Sequence, residues 1–232
     1  MSASRERQAW VAAVRSLAEE RGLNYEPVGG VNPRGAPTAL CPGGSNRLVG
    51  ELVEGFWGAS CDALERERGR FLAKAVLPDA VLVKAHMPEL ASVVPAFDVE
   101  SIEATPDEQL RKRVSRRVKF ESIEFNSRFI ATVPREHDPI ALRELFSPAF
   151  LTWATSIDRE VDFGGSEHQL YFMWRLRERS RAELELALGN AAKLFARLRR
   201  ELEGANVVAY PPGPWNAGLE EFPGSGASAA GQ

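Results

Sequence analysis

Leu184, Leu188, Ala191, Phe195, Leu198 and Leu202 recur at intervals of four and three. That spacing lays one continuous apolar stripe along a helix from about Arg179 to Glu203, which Gly204 ends. A second amphipathic stretch, from about Ala3 to Arg21, gathers Trp10, Val11, Val14, Leu17 and Ala18 on one face and leaves Arg15, Glu19 and Glu20 outside it. Gly22 follows as the residue suited to the left-handed turn after a helix. Between Pro139 and Thr155, the residues Ile140, Leu142, Leu145, Phe146, Phe150, Leu151 and Trp153 make a broad apolar helical surface. Ser147-Pro148 divides that segment into two short helices, because proline suits a first turn and not an interior.

Elsewhere the pattern shortens towards strands. Leu23 to Pro27 reads as one short strand, and Leu48 to Trp57 as strands with a tight connection. Phe71–Leu77 and Ala80–Lys84 are further candidates, with the charged run Asp62 to Arg70 as the tip of a long hairpin. Pro88 and Pro95 punctuate a connector that runs to about Asp107. Val114–Glu121 and Arg128–Val133 are the next two strands. Arg159 to Phe163 alternates charged and apolar residues, Gly164-Gly165-Ser166 turns the chain, and Gln169–Leu176 returns as an aromatic strand. Gly29 to Asn46, with five glycines and three prolines, is a loop. The expected fold is therefore α+β: an antiparallel sheet packed against an N-terminal helix, a central broken helix and a long C-terminal helix. Residues 1–204 form one domain in this reading, with 1–100 and 113–204 as candidate sub-lobes. Residues 205–232, which end Gly224-Ser225-Gly226-Ala227-Ser228-Ala229-Ala230-Gly231-Gln232, are expected to be largely disordered.

Composition narrows the class further. At 232 residues and 44% hydrophobic content, the chain can bury a core without disulfides or metal. A net charge of −3 gives no whole-molecule attraction for nucleic acid, which is an unlikely partner on that ground. No apolar run approaches the ~18 residues of a membrane span, and no signal peptide is expected at the N-terminus. Two cysteines twenty residues apart, Cys41 and Cys61, suit reduced thiols, so the expected location is the cytoplasm. Arginine outnumbers lysine 24 to 5, the footprint of a GC-rich bacterial genome rather than a functional signal.

Candidate chemistry is sparse. Gly29-Gly30 and Gly43-Gly44 have no helix starting after them, and neither the dinucleotide fingerprint nor the phosphate-loop lysine is present. His86, His137 and His168 are isolated from one another and from the cysteines, so no metal and no cofactor is expected. Asp138 before Pro139 reads as a helix N-cap. No serine sits in a glycine elbow, and no catalytic residue is assigned. Asp158, Glu160 and Asp162 share one face of a strand, most simply the solvent face.

One run concentrates charge. From 111 to 119, Arg111, Lys112, Arg113, Arg116, Arg117 and Lys119 make six basic residues in nine. The functional reading is a grip on nucleic-acid or lipid phosphates. The plainer reading is a solvated strand or connector, since no aromatic residue lies within the run and Asp107 and Glu108 precede it. The C-terminal stripe is similarly double: a coiled-coil seam for a homodimer, or packing on the molecule's own sheet.

The stretch Val118-Lys119-Phe120-Glu121-Ser122-Ile123-Glu124-Phe125-Asn126-Ser127-Arg128-Phe129 resembles the Phe-Glu-Ser-x-Glu-Phe-Asn-x-Arg-aromatic signature of a family of soluble actinobacterial proteins with no established activity. Leu145-Phe146-Ser147-Pro148-Ala149-Phe150-Leu151-Thr152-Trp153 and Val31-Asn32-Pro33-Arg34 are similar to two further segments of that family. Physically, Phe120, Phe125 and Phe129 read as core anchors, Asn126 as a residue satisfying backbone groups at a turn, and Arg128 as a partner for Glu121 or Glu124. The functional alternative is a ligand-binding cluster of Glu121, Glu124, Asn126 and Arg128. The leading expectation is a non-enzymatic binding or interaction protein, with a protein partner or self-association. The alternatives are a small-ligand receptor or enzyme using that cluster, and peripheral anion binding through residues 111–119.

Overall fold

A computed structural model describes residues 3–28, 45–53, 55–63, 80–87, 90, 96–102, 115–166 and 169–204. The strand expected at 71–77, the proposed hairpin tip beyond Ala63, the loop from Gly29 and the C-terminal tail lie outside these residues. The N-terminal amphipathic stretch is helix α1 (Ala3–Arg21), ended by Gly22 at φ +64°. It is followed by β1 (Asn24–Val28), β2 (Ser45–Val53), β3 (Phe56–Ala63), β4 (Ala80–His86) and β5 (Ala96–Ser101). Then come β6 (Ser115–Val118), a short helix α2 (Ile123–Arg128), β7 (Phe129–Pro134), and helices α3 (Pro139–Leu145) and α4 (Pro148–Ser156). The hairpin β8 (Val161–Ser166) and β9 (Gln169–Arg175) leads into the long helix α5 (Arg181–Gly204). The nine described strands join one antiparallel sheet in the order β1-β2-β3-β4-β9-β8-β5-β7-β6. The structure is thus α+β, with the N-terminal helix, the broken central helix and the long C-terminal helix where the hydrophobic pattern puts them.

The helix caps follow from the sequence. Asp138 accepts from the Ile140 N–H at 2.9 Å and Ser147 from the Phe150 N–H at 3.1 Å, each with proline in the first turn, so the central helix breaks at Ser147-Pro148. Helices α1 and α5 pack on β2, β4 and β9, while α2 and α3 meet the β6–β7 end. Leu184, Leu188, Ala191, Phe195 and Leu198 are each at most 2% exposed in a core shared with Val81, Val83, Phe172 and Trp174. The stripe is buried within the chain and offers no coiled-coil seam. At the start of α5, the Ser180 hydroxyl accepts from the Glu183 N–H, and the Glu183 carboxylate turns inward. There it takes hydrogen bonds from the Trp174 indole, the Arg177 N–H and Arg159. Burial alone would raise this carboxyl; those donors and the Arg159 charge outweigh it and hold Glu183 below the ordinary carboxylate range. Its stabilising effect is therefore present at neutral pH and lost as pH falls through the depressed value. We expect Glu183→Gln to cost about 2 kcal/mol at pH 7 in urea unfolding, with the deficit shrinking towards zero in strong acid.

Four local expectations are corrected. Residues 96–101 form β5 in the middle of the sheet, where a connector was expected; Phe97 and Val99 alternate inward, a two-residue signal too brief to stand out after Pro95. Gly164 and Gly165 lie inside β8, and pairing continues to Ser166↔Gln169. They are strand glycines because neighbours occupy their side-chain space: a Cβ on Gly164 would lie 2.4 Å from the Phe97 carbonyl oxygen and 2.6 Å from the Tyr171 ring. Residues 123–128, expected as a turn between strands, form α2, because Ser122 caps Phe125 and starts a helix. Asp62, expected in a hairpin tip, is buried in β3.

Candidate functional site

The aromatic residues of the Phe120–Phe129 motif do pack inward. The Phe125 ring lies 5.1 Å from Phe120 and 5.0 Å from Phe129, with Phe146 against both Phe120 and Phe125. Asn126 closes the turn before α2: its Oδ1 accepts from the Phe120 N–H, and its Nδ2 donates to the carbonyls of Phe120 and Ser122 at 2.6 and 2.7 Å. Arg128 reaches across to the end of α4. It donates to the carbonyls of Thr155 and Arg159, both at 2.5 Å, and to that of Ile157. A helix C-terminus leaves carbonyls without intrahelical partners, and a planar guanidinium can serve several at once. This replaces the ion pair expected with Glu121 or Glu124. Both glutamates are exposed, with Glu124 only within 3.4 Å of the Ser122 hydroxyl. So Asn126 and Arg128 serve backbone groups of two different segments, while Glu121 and Glu124 face outward.

Of the basic run, Arg111, Lys112 and Arg113 lie outside the described residues. Arg116, Arg117 and Lys119 are exposed on and just after β6, the edge strand at one end of the sheet. Charge on an edge strand discourages pairing with a foreign strand, and Pro27 in β1 does the same at the opposite edge. The three acidic residues expected to share a solvent face separate. Asp158 is fully exposed, Glu160 pairs with Arg175 at 3.2 Å, and Asp162 is buried, accepting from the Ser101 N–H and from Arg175. The cause is that β8 begins only at Val161, so Asp158 and Glu160 precede the strand and only Asp162 takes part in its alternation. His86 sits on β4, His137 in the turn before α3, and Cys61 is buried in β3; His168 and Cys41 fall outside the described residues. Among the described residues, no group of three or more His, Cys, Asp or Glu side chains is placed to hold a metal.

A different surface emerges from the register of the sheet. Phe56, Gly58, Ser60 and Asp62 of β3 alternate towards the helices, so Trp57, Ala59 and Cys61 occupy the opposite face. Val49 is opposite Ala59, Leu82 is opposite Cys61, and Met173 is opposite Leu82. Ala59 and Cys61, 0% and 5% exposed, form a small buried cluster separate from the main core, with Val49 and Leu82 partly buried against it. Trp57 continues that strip and is 45% exposed. Towards β5 the same face turns polar: the Tyr171 hydroxyl donates to Asp98 at 2.7 Å, and Arg175 bridges Glu160 and Asp162. No helix among the described residues packs on this face, since the helices share the main core with the alternate set of strand residues. The period of two from Phe56 to Asp62 carried this information; the glycine and glutamate interspersed before it obscured which face was which. No described helix is long and apolar enough to cross a membrane.

No protein-family model matches the chain, and no curated protein matches it. Among solved structures it is similar to the mycobacterial trehalose monomycolate transport factor A, TtfA, with a TM-score of 0.57 and 14% sequence identity, over 89% of this chain and 98% of that one. At that identity the likeness is one of fold alone.

Proposed function

We propose that this chain is a non-enzymatic, cytoplasmic binding protein that engages a protein partner through the second face of its sheet, around Trp57. The observation that carries the reading is Trp57 itself, a large aromatic side chain 45% exposed on that face, next along β3 to the buried Ala59 and Cys61. An exposed tryptophan is the residue type most often found as an interface hot spot. TtfA is named for transport rather than for a reaction, and by analogy of fold alone a holding or escorting role is the class we extend to this chain. The test is recovery of tagged protein from its native host, comparing wild type with Trp57→Glu and with Arg117→Glu at the far end of the sheet. We expect a partner retained by wild type and Arg117→Glu to fall at least ~30-fold in Trp57→Glu, the effect of losing a hot spot of about 2 kcal/mol, at unchanged thermal midpoint. Retention of the same partners by Trp57→Glu ends the proposal.

Peripheral anion binding is the second reading, favoured by the exposure of Arg116, Arg117 and Lys119 together at one sheet edge. It requires binding to phosphate-bearing polymers or vesicles that weakens steeply with salt and is lost when these residues become glutamine.

A further inference from the structure

Asp62 is 8% exposed, yet among the described residues every hydrogen bond to its carboxylate comes from an uncharged donor. The Trp10 indole N–H of α1 donates to one oxygen at 2.9 Å. The Asn46 amide and the Ser45 hydroxyl of β2 reach the other at 2.6 and 3.2 Å. The Tyr25 hydroxyl of β1 donates to the Asn46 Oδ1 at 2.8 Å, which fixes the amide so that its nitrogen faces Asp62. Asn46 holds this pose with a left-handed backbone, φ 49°, a conformation that asparagine tolerates better than most residues. One carboxylate thus ties α1, β1 and β2 to β3. Among the described residues, no charged side chain neutralises it at contact. From α1, Arg7 acts only through space; from β2, Arg47 is held by Glu26 of β1 at 3.0 Å; from β4, the residue in register is Val81.

We propose that Asp62 is a proton-operated lock on helix α1, tightest when the carboxyl carries a proton. A buried carboxylate without a cation in contact costs free energy that its neutral form does not. The neutral form also fits this pocket. With the proton on Oδ2, the acid donates to the Ser45 oxygen, whose hydroxyl rotates from donor to acceptor, while Trp10 and Asn46 keep donating to the two oxygens. Burial raises the carboxyl above the ordinary carboxylate range, against the lowering effect of the Asn46, Trp10 and Ser45 hydrogen bonds and of Arg7. When α1 lifts away, Asp62 meets water and returns to the ordinary range. The closed form therefore holds its proton to higher pH than the open form, and raising pH through that interval favours opening.

The experiment follows amide hydrogen exchange of α1 near Trp10, corrected for intrinsic rates, together with the Asp62 carboxyl carbon by NMR in the full-length protein. Between the ordinary carboxylate range and the Asp62 midpoint, protection of these amides should fall with rising pH by up to tenfold per unit, and be flat outside it. In Asp62→Asn the pH dependence should vanish. An Asp62 carbon that titrates with the surface carboxylates overturns the proposal in wild type alone, whether or not the variant folds. Protection that changes in parallel in wild type and Asp62→Asn overturns it as well.

Discussion

Replacing Arg128 with alanine is expected to destabilise the fold by about 3 kcal/mol, measured by urea unfolding at neutral pH. The guanidinium is half-buried and donates to three carbonyls, of Thr155, Ile157 and Arg159, where α4 ends and the chain turns towards β8. Removing it takes the side-chain donor from the Thr155 and Arg159 carbonyls, while that of Ile157 keeps the Arg159 N–H at 2.8 Å, and the cost of leaving a buried acceptor unpaired exceeds what its pairing contributes net. It also removes the stacking of the guanidinium on Phe129, at 5.3 Å from the ring centre. Arg128→Lys should recover less than half of the loss, because an ammonium cannot present a fork of donors to three oxygens at once. A ligand-binding role for this arginine predicts the reverse pattern: near-native stability in the alanine variant and a binding defect alone.

Gly164→Ala is expected to be comparably damaging, by about 3 kcal/mol. The added methyl would sit 2.4 Å from the Phe97 carbonyl oxygen, which belongs to the backbone of β5 and cannot step aside without breaking the β5–β8 pairing. The Tyr171 ring, 2.6 Å from the same point, would also have to move, and it is held by its hydrogen bond to Asp98. Thermal unfolding compared with Gly189→Ala supplies the contrast. Gly189 lies in α5 with nothing within 4 Å of the added methyl, so alanine there should stabilise by about 0.5–1 kcal/mol. If Gly164 were a turn residue, as its sequence context suggests, the substitution would cost far less.

These two positions mark how much of the molecule can be read before its strands are paired. The three helical regions were legible because each repeats the same information several times: Leu184 to Leu202 give six matching positions, and Asp138-Pro139 and Ser147-Pro148 state their own caps. The motif from Phe120 to Phe129 was legible as a set of core aromatics, and the backbone role of Asn126 followed from its side chain's length and its two donors and one acceptor. The partner of Arg128 was not, since Thr155 to Arg159 lie some thirty residues on and offer only backbone oxygens, which leave no trace in side-chain identity.

The sequence by itself determined where the N-terminal, broken central and C-terminal helical regions lie and which stripe of each is buried, because periodicity and capping act within a few residues of chain; the short helix at 123–128 was not among them. Tertiary structure alone decided the rest: that Gly164 and Gly165 make room for Tyr171, Phe97 and Leu90, that Asp62 and Asp162 are interior, and that Trp57 faces away from every described helix. Each of those facts depends on which strand lies beside which. In a sheet whose neighbours include β4 with β9 and β8 with β5, that order is set by contacts between residues far apart in the chain, and no local pattern of hydrophobic and polar positions encodes it.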